Sequence, residues 1–115
     1  MVSNDEQRRE YPSYSLDEVQ RLAARGRVNF ATRKVDCDVQ DLDYTLDEVC
    51  RCLTALNPGH FKESILYPDT AKWVDVYRIN HDGPSQDSDR LYIKLRIGRN
   101  AISVQLFSFH LEGRF

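Results

Sequence analysis

From Arg90 to Ile97 the chain reads RLYIKLRI, an alternation of apolar and polar positions with a period of two. Leu91, Ile93, Leu95 and Ile97 fall on one face of the strand this predicts, and Tyr92, Lys94 and Arg96 on the other. Gly98-Arg99-Asn100 is turn chemistry of hairpin length. The next segment, AISVQLFSF, continues the alternation. It puts Ile102, Val104 and Leu106 on the buried face, with Ser103, Gln105, Phe107 and Phe109 opposite. Upstream, KWVDVYRI at 72–79 is rich in strand-forming residues, and FKESILY at 61–67 predicts a further strand ahead of Pro68-Asp69. The polar stretch at 80–89, NHDGPSQDSD, reads as a flexible loop within the sheet.

The amino-terminal half switches to helical periodicity. YSLDEVQR at 14–21 and YTLDEVCR at 44–51 open in the same way. Ser15 and Thr45 stand at N-cap positions, and Glu18 and Glu48 sit where they complete capping boxes. Tyr14 with Val19, and Tyr44 with Val49, have the spacing of hydrophobic staples, while Asp17 and Asp47 suit the positive end of the helix dipole. The first helix buries Leu16, Val19, Leu22 and Ala23 and stops at Gly26. The second buries Leu46, Val49, Cys50, Leu53 and Leu56 and stops before Asn57-Pro58-Gly59. Between them, Val35, Val39 and Leu42 suggest a short third helix, against which β-branched residues and aspartates weigh. Arg27–Phe30 fits either a short strand or a turn. The expected fold is α+β: two to three N-terminal helices on an antiparallel sheet of about four strands. Residues 1–12 are expected to be a disordered segment and 13–115 a single domain.

Composition narrows the function. A hydrophobic fraction of 41% supports a folded core, no apolar run reaches membrane-spanning length, and the first residues lack a signal-peptide core. A cytoplasmic protein is the default expectation. Cys37, Cys50 and Cys52 match no zinc spacing and read as filler and surface thiols. The formal net charge of −2 excludes a strongly polybasic nucleic-acid binder but leaves room for a local basic patch. Acids crowd residues 36–48, whereas Arg90, Lys94, Arg96, Arg99 and Arg114 fall in the last strands.

There is no phosphate loop, metal cluster or nucleophile elbow, and His60, His81 and His110 are scattered. What remains is a polar strand face with Tyr92, Lys94 and Arg96, and His110 just past the next strand. One metal-free chemistry uses such groups: cleavage of RNA by its own 2′-hydroxyl, which needs a base, an acid and cations at phosphorus. Aromatics such as Trp73 and Tyr77 would offer stacking for unpaired bases. The competing reading is an ordinary solvated face of a half-buried sheet.

Four segments resemble the MqsR family of type II toxin–antitoxin toxins: WVDVYR at 73–78, LYIKLRI at 91–97, ISVQLFSFH at 102–110 and FKES at 61–64. Weaker similarity upstream, in DEVQRLAARGRV and DEVCRCLTALNP, extends the resemblance to about residues 14–110. It implies a RelE-like α+β fold and a metal- and cofactor-independent endoribonuclease that cuts mRNA. It also implies a cognate antitoxin encoded beside the toxin and binding it tightly, operator DNA being reached only through that antitoxin. On the family's pattern the strand tyrosine is Tyr92. A lysine maps to Lys62 if one residue is deleted beside Phe61, and the ungapped register puts Glu63 there. A glutamine is absent, since Val74 follows Trp73, and the last lysine is replaced by His110. Lys62, Tyr92 and His110 are thus the expected catalytic residues, and Arg78, Lys94, Arg96 and Tyr77 the expected RNA contacts. The alternatives are a catalytically degenerate toxin fold that binds RNA or protein, and an interaction protein that uses its acidic 36–48 segment.

Overall fold

The computed structural model describes residues 6–84 and 88–113. Three helices form: α1 at Leu16–Ala24, α2 at Arg33–Asp41 and α3 at Leu46–Thr54. Each opens on a hydroxyl cap. Ser15 Oγ accepts from Glu18 N at 3.3 Å, Thr32 Oγ1 from Val35 N at 3.3 Å and Thr45 Oγ1 from Glu48 N at 3.2 Å. The expected return bonds of the two capping boxes are replaced by surface ion pairs. Glu18 pairs with Arg21 at 2.9 Å and Glu48 with Arg51 at 3.4 Å. The open carbonyls at the end of α3 are met by Gln20, whose Nε2 donates to Thr54 O at 3.0 Å and Leu56 O at 2.7 Å. This clamps α1 to α3.

The sheet has six strands, not about four: β1 (Gln7–Arg9), β2 (Val28–Phe30), β3 (Phe61–Tyr67), β4 (Lys72–Asp82), β5 (Ser88–Ile97) and β6 (Val104–Leu111), in the order β1-β3-β4-β5-β6-β2. The central meander is antiparallel as expected, but β2 joins the far edge parallel to β6, which makes the sheet mixed. β1 and β2 have only three residues each, too few for periodicity to reveal. β1 lies inside the segment expected to be disordered. It is held by Arg8 on Glu63 at 2.7 Å and by the Arg9 guanidinium over the Trp73 ring at 3.9 Å. Residues 1–5 of that segment, and Arg114 in the basic set, lie outside the described residues. The expected 80–89 loop is also shorter than read, because β4 runs to Asp82 and pairs it with Ser88.

One face of the sheet packs on the helices. Val19, Leu22, Val35, Val39, Val49 and Leu53 meet Tyr77, Ile79, Leu91, Ile93, Leu95, Val104, Leu106 and Phe109 in one core. Leu46, expected in that core, is exposed on the first turn of α3. Ile102, expected on the buried face, is 54% exposed. The connection runs from Gly98 to Ser103, closed by Gly98 N donating to Ser103 O at 2.8 Å, and Asn100 and Ala101 take left-handed backbone conformations. Ile102 therefore precedes the strand.

A β-bulge decides the end of β6. Leu95 faces Leu106 and Lys94 faces Ser108, so Phe107 is an extra residue with no partner. Alternation resumes out of step. Phe109, expected on the polar face, enters the core, where its ring meets Tyr44 edge-on at 5.4 Å. His110 passes to the open face.

Candidate active site on the open sheet face

The face turned away from the helices carries the polar set. Register places Arg78, Tyr92 and His110 side by side across β4, β5 and β6. The Tyr92 and His110 rings stack with centroids 5.4 Å apart and planes 18° apart. One step along, Glu63, Val76, Lys94 and Ser108 form the adjoining row. Lys94 Nζ donates to Tyr67 Oη at 2.6 Å and lies 5.6 Å from the Tyr92 ring centroid. Ile65, Val76 and Tyr92, with Tyr67 against them, make a small apolar floor beneath these groups.

Tyr92 is only 7% exposed, and burial raises its hydroxyl above the ordinary tyrosine value. Lys94 and Arg78 pull it down, while Tyr67 and Glu63 push it up. At neutral pH the phenol is therefore a proton donor. His110, 8% exposed, lies 2.9 Å by Nδ1 from Leu111 O. A carbonyl can only accept, so Nδ1 carries the proton and a neutral ring has its lone pair on Nε2. Arg78 Nε pairs with Glu112 at 3.0 Å, and Arg96 Nε donates to Gln105 Oε1 at 3.0 Å.

The expected site residues are only partly brought together. Tyr92, His110, Arg78, Lys94 and Arg96 share the open face. Tyr77 does not: it is 1% exposed in the core, edge-on to Phe61 at 5.5 Å, so its expected contact with RNA is ruled out by the strand's own alternation. Trp73 is likewise occupied, under Arg9. Lys62 is the exposed extra residue of a second bulge, between Phe61 and Glu63, at the rim of the face. Sequence reasoning gave Glu63 only as the ungapped alternative to Lys62, and it missed Tyr67 and Arg8. The period-two pattern of β3, which puts Glu63, Ile65 and Tyr67 on one face, could have placed Glu63 there and found Tyr67. Arg8 had no comparable signal.

The other histidines serve the fold. His60 Nδ1 accepts from Asn57 N at 3.0 Å, and His81 packs against Tyr44 at 6.2 Å. Asp75, in the middle of WVDVYR, is fully buried and accepts from Ser13 N at 2.9 Å and Tyr14 N at 3.0 Å. It fastens the entry to α1. Among the described residues no group of three His, Cys, Asp or Glu side chains could hold a metal, and no helix is long and apolar enough to cross a membrane.

Fold and site together define a small α+β domain with helices on one sheet face and a tyrosine, a histidine and cations converging on the other. The chain matches the family described as motility quorum-sensing regulator, toxin of MqsA, over residues 11–111, and it belongs to this MqsR toxin family. It is thus of the toxin class of toxin–antitoxin systems. Comparison with curated proteins finds no match.

Proposed function

We propose that the protein is a metal-independent endoribonuclease that cuts mRNA and so arrests translation and growth. The observation that carries this reading is the Tyr92–His110 stack between Arg78 and Lys94 on the open face. His110 Nε2 takes the proton of a ribose 2′-hydroxyl, whose oxygen forms a bond to the adjacent phosphorus. The bond from phosphorus to the 5′-oxygen breaks, and the Tyr92 phenol protonates that leaving oxygen. The products are a 2′,3′-cyclic phosphate and a 5′-hydroxyl. The imidazolium then returns its proton to the neighbouring phenolate, and the site is restored. Lys94 and Arg78 offset charge on the phosphoryl oxygens, and Lys62 adds positive charge from the rim. Arg96 holds the RNA further along the same face.

A cognate antitoxin is the proposed protein partner, with operator DNA reached only through it, and the cytoplasm is the proposed compartment. Residues 13–115 are proposed to act as one domain. A second reading has specific support: Val74, where the family has glutamine, is buried and apolar, and Arg78 is engaged by Glu112. On that reading the fold binds RNA without cutting it.

The test uses purified protein and a messenger-length RNA in the presence of EDTA. Wild type should release fragments with cyclic phosphate ends. Tyr92→Phe and His110→Ala should each lower the rate by about 10²–10⁴-fold. Uncut RNA bound with salt-sensitive affinity supports the binding module instead. Equal cleavage by wild type and the double variant refutes the assignment of both residues.

A further inference from the structure

Beside the Tyr92 row, the open face sinks into a groove of about 580 Å³, within the range of small-ligand sites. It stops at Lys94 and Ser108, one row short of Tyr92 and His110, so it is not itself the site of bond cleavage. Its lining is unusual for a solvated sheet face. Asn29 on β2 faces Gln105 on β6, which faces Arg96 on β5, so two amides and a guanidinium stand in line about 4.8 Å apart across three strands. Phe107 lies next to them and is only half-buried, with the Arg96 guanidinium 5.8 Å from its centroid.

We propose that this groove is the toxin's base-recognition subsite, taking the nucleobase next to the scissile phosphate of a single-stranded RNA. The inference rests on the ribonuclease reading for where the scissile bond lies. Its chemistry follows from which atoms are already committed. Arg96 Nε can only donate, so the amide atom it meets is Gln105 Oε1, and the Gln105 NH₂ group is turned toward Gly98. Space for it exists because Gly98 has no side chain; a Cβ there would stand 3.1 Å from Gln105 Nε2. Asn29 Nδ2 donates to Ser103 Oγ at 3.0 Å, which leaves the Asn29 carbonyl oxygen as an acceptor. Asn29 thus offers the groove an acceptor, and Gln105 holds the Arg96 guanidinium two strands away as the donor, the pair that reading a base edge requires.

Phe107 supplies the stacking surface. As the extra residue of the bulge it has no cross-strand partner, and the core gains nothing from its ring. A half-buried ring beside a guanidinium suits the face of any base. Spacing ties the groove to the cleavage row. Arg96 lies four residues from Tyr92 on β5, roughly 13 Å at the usual strand rise, with Lys94 midway. A phosphate held at Lys94 therefore links a base in the groove to the bond at Tyr92.

The test compares wild type with Gln105→Ala, Asn29→Ala and Phe107→Ala, after thermal melting shows all four folded. Cleavage ends are mapped on one mixed RNA. Anisotropy then follows binding of short 2′-O-methyl RNAs that vary at one position and cannot be cut. Gln105→Ala and Asn29→Ala should relax the preference at a single position by about tenfold. Phe107→Ala should weaken binding of all sequences by about tenfold and leave the preference intact. Unchanged cleavage sites and affinities in all three overturn the subsite while leaving the nuclease standing. Wild type that cuts nothing, yet binds with a base preference lost in Gln105→Ala, overturns the nuclease and supports the subsite. Variants that differ only in neutralisation by the antitoxin assign the groove to a protein partner and overturn the proposal.

Discussion

Asp75→Asn isolates the contribution of one buried carboxylate. Its two oxygens take the backbone N–H groups of Ser13, at 2.9 and 3.1 Å, and of Tyr14, at 3.0 Å. Asparagine with its oxygen at the Oδ2 position still reaches both N–H groups, but its NH₂ then faces Ser13 N, so the 2.9 Å bond is lost and two donors oppose each other. That loss costs about 1–3 kcal/mol, part of which is recovered because no ionised group is buried. A net destabilisation of about 2 kcal/mol at pH 7 is expected, which for a domain of this size lowers Tm by roughly 8 °C. The pH dependence is a sharper check. Burial raises the Asp75 carboxyl above its ordinary 3.8, more than its hydrogen bonds lower it. The folded state then binds a proton that the unfolded state has released. Wild type gains stability from this group as pH falls through the folded pKa toward 3.8, and Asp75→Asn has no such gain. The stability gap between the two, measured by urea unfolding at steps between pH 7 and pH 4, should widen toward acid. A gap that narrows instead means that the hydrogen bonds outweigh burial, and the reasoning fails.

Deleting Phe107 should make Leu106–Leu95 and Ser108–Lys94 consecutive pairs, giving β6 unbroken alternation with Phe109 still in the core and a change below about 1 kcal/mol in urea unfolding. A loss of about 3–5 kcal/mol, the cost of expelling a core phenylalanine, would mean that Phe109 does not keep its register without the bulge. Because burial raises Tyr92, the alkaline limb of the cleavage rate should fall above pH 10.0 in wild type and be absent in Tyr92→Phe. A limb below pH 9 contradicts a buried phenol as the acid. Cys37 is exposed, whereas burial pushes the Cys52 thiol up to about 12 and raises Cys50 less. One thiol should react with an aromatic disulfide at pH 8 in the native state, and all three after unfolding; three fast thiols would mean that α3 is not packed.

The elements that repeat a period several times were legible without a structure. β5 spells its two faces in eight residues, and α1 and α3 announce their starts through Ser15 and Thr45, because capping and amphipathicity are local physics. Tyr92, Lys94 and Arg96 were assigned to one face from the sequence because β-strand alternation separates them from the core, and Arg78 joined them only after the family resemblance. Tyr77 shows how the same rule was overlooked: it sits one position from Arg78 and so faces the helices.

What the chain could not disclose is non-local. Three-residue strands such as β1 and β2 have no period of their own, and they exist only because β3 and β6 offer open edges. Arg8 reaches Glu63 from the other end of the chain, which no local pattern announces. The face on which His110 stands depends on a single unpaired residue, Phe107, whose extra length is absorbed only when Lys94 and Leu95 choose their partners. Sequence alone thus determined the four long strands, the starts of α1 and α3 and most of the side chains assigned to the open face. Tertiary pairing decided which of them meet, because register across a sheet is set by neighbouring strands and not by the strand itself.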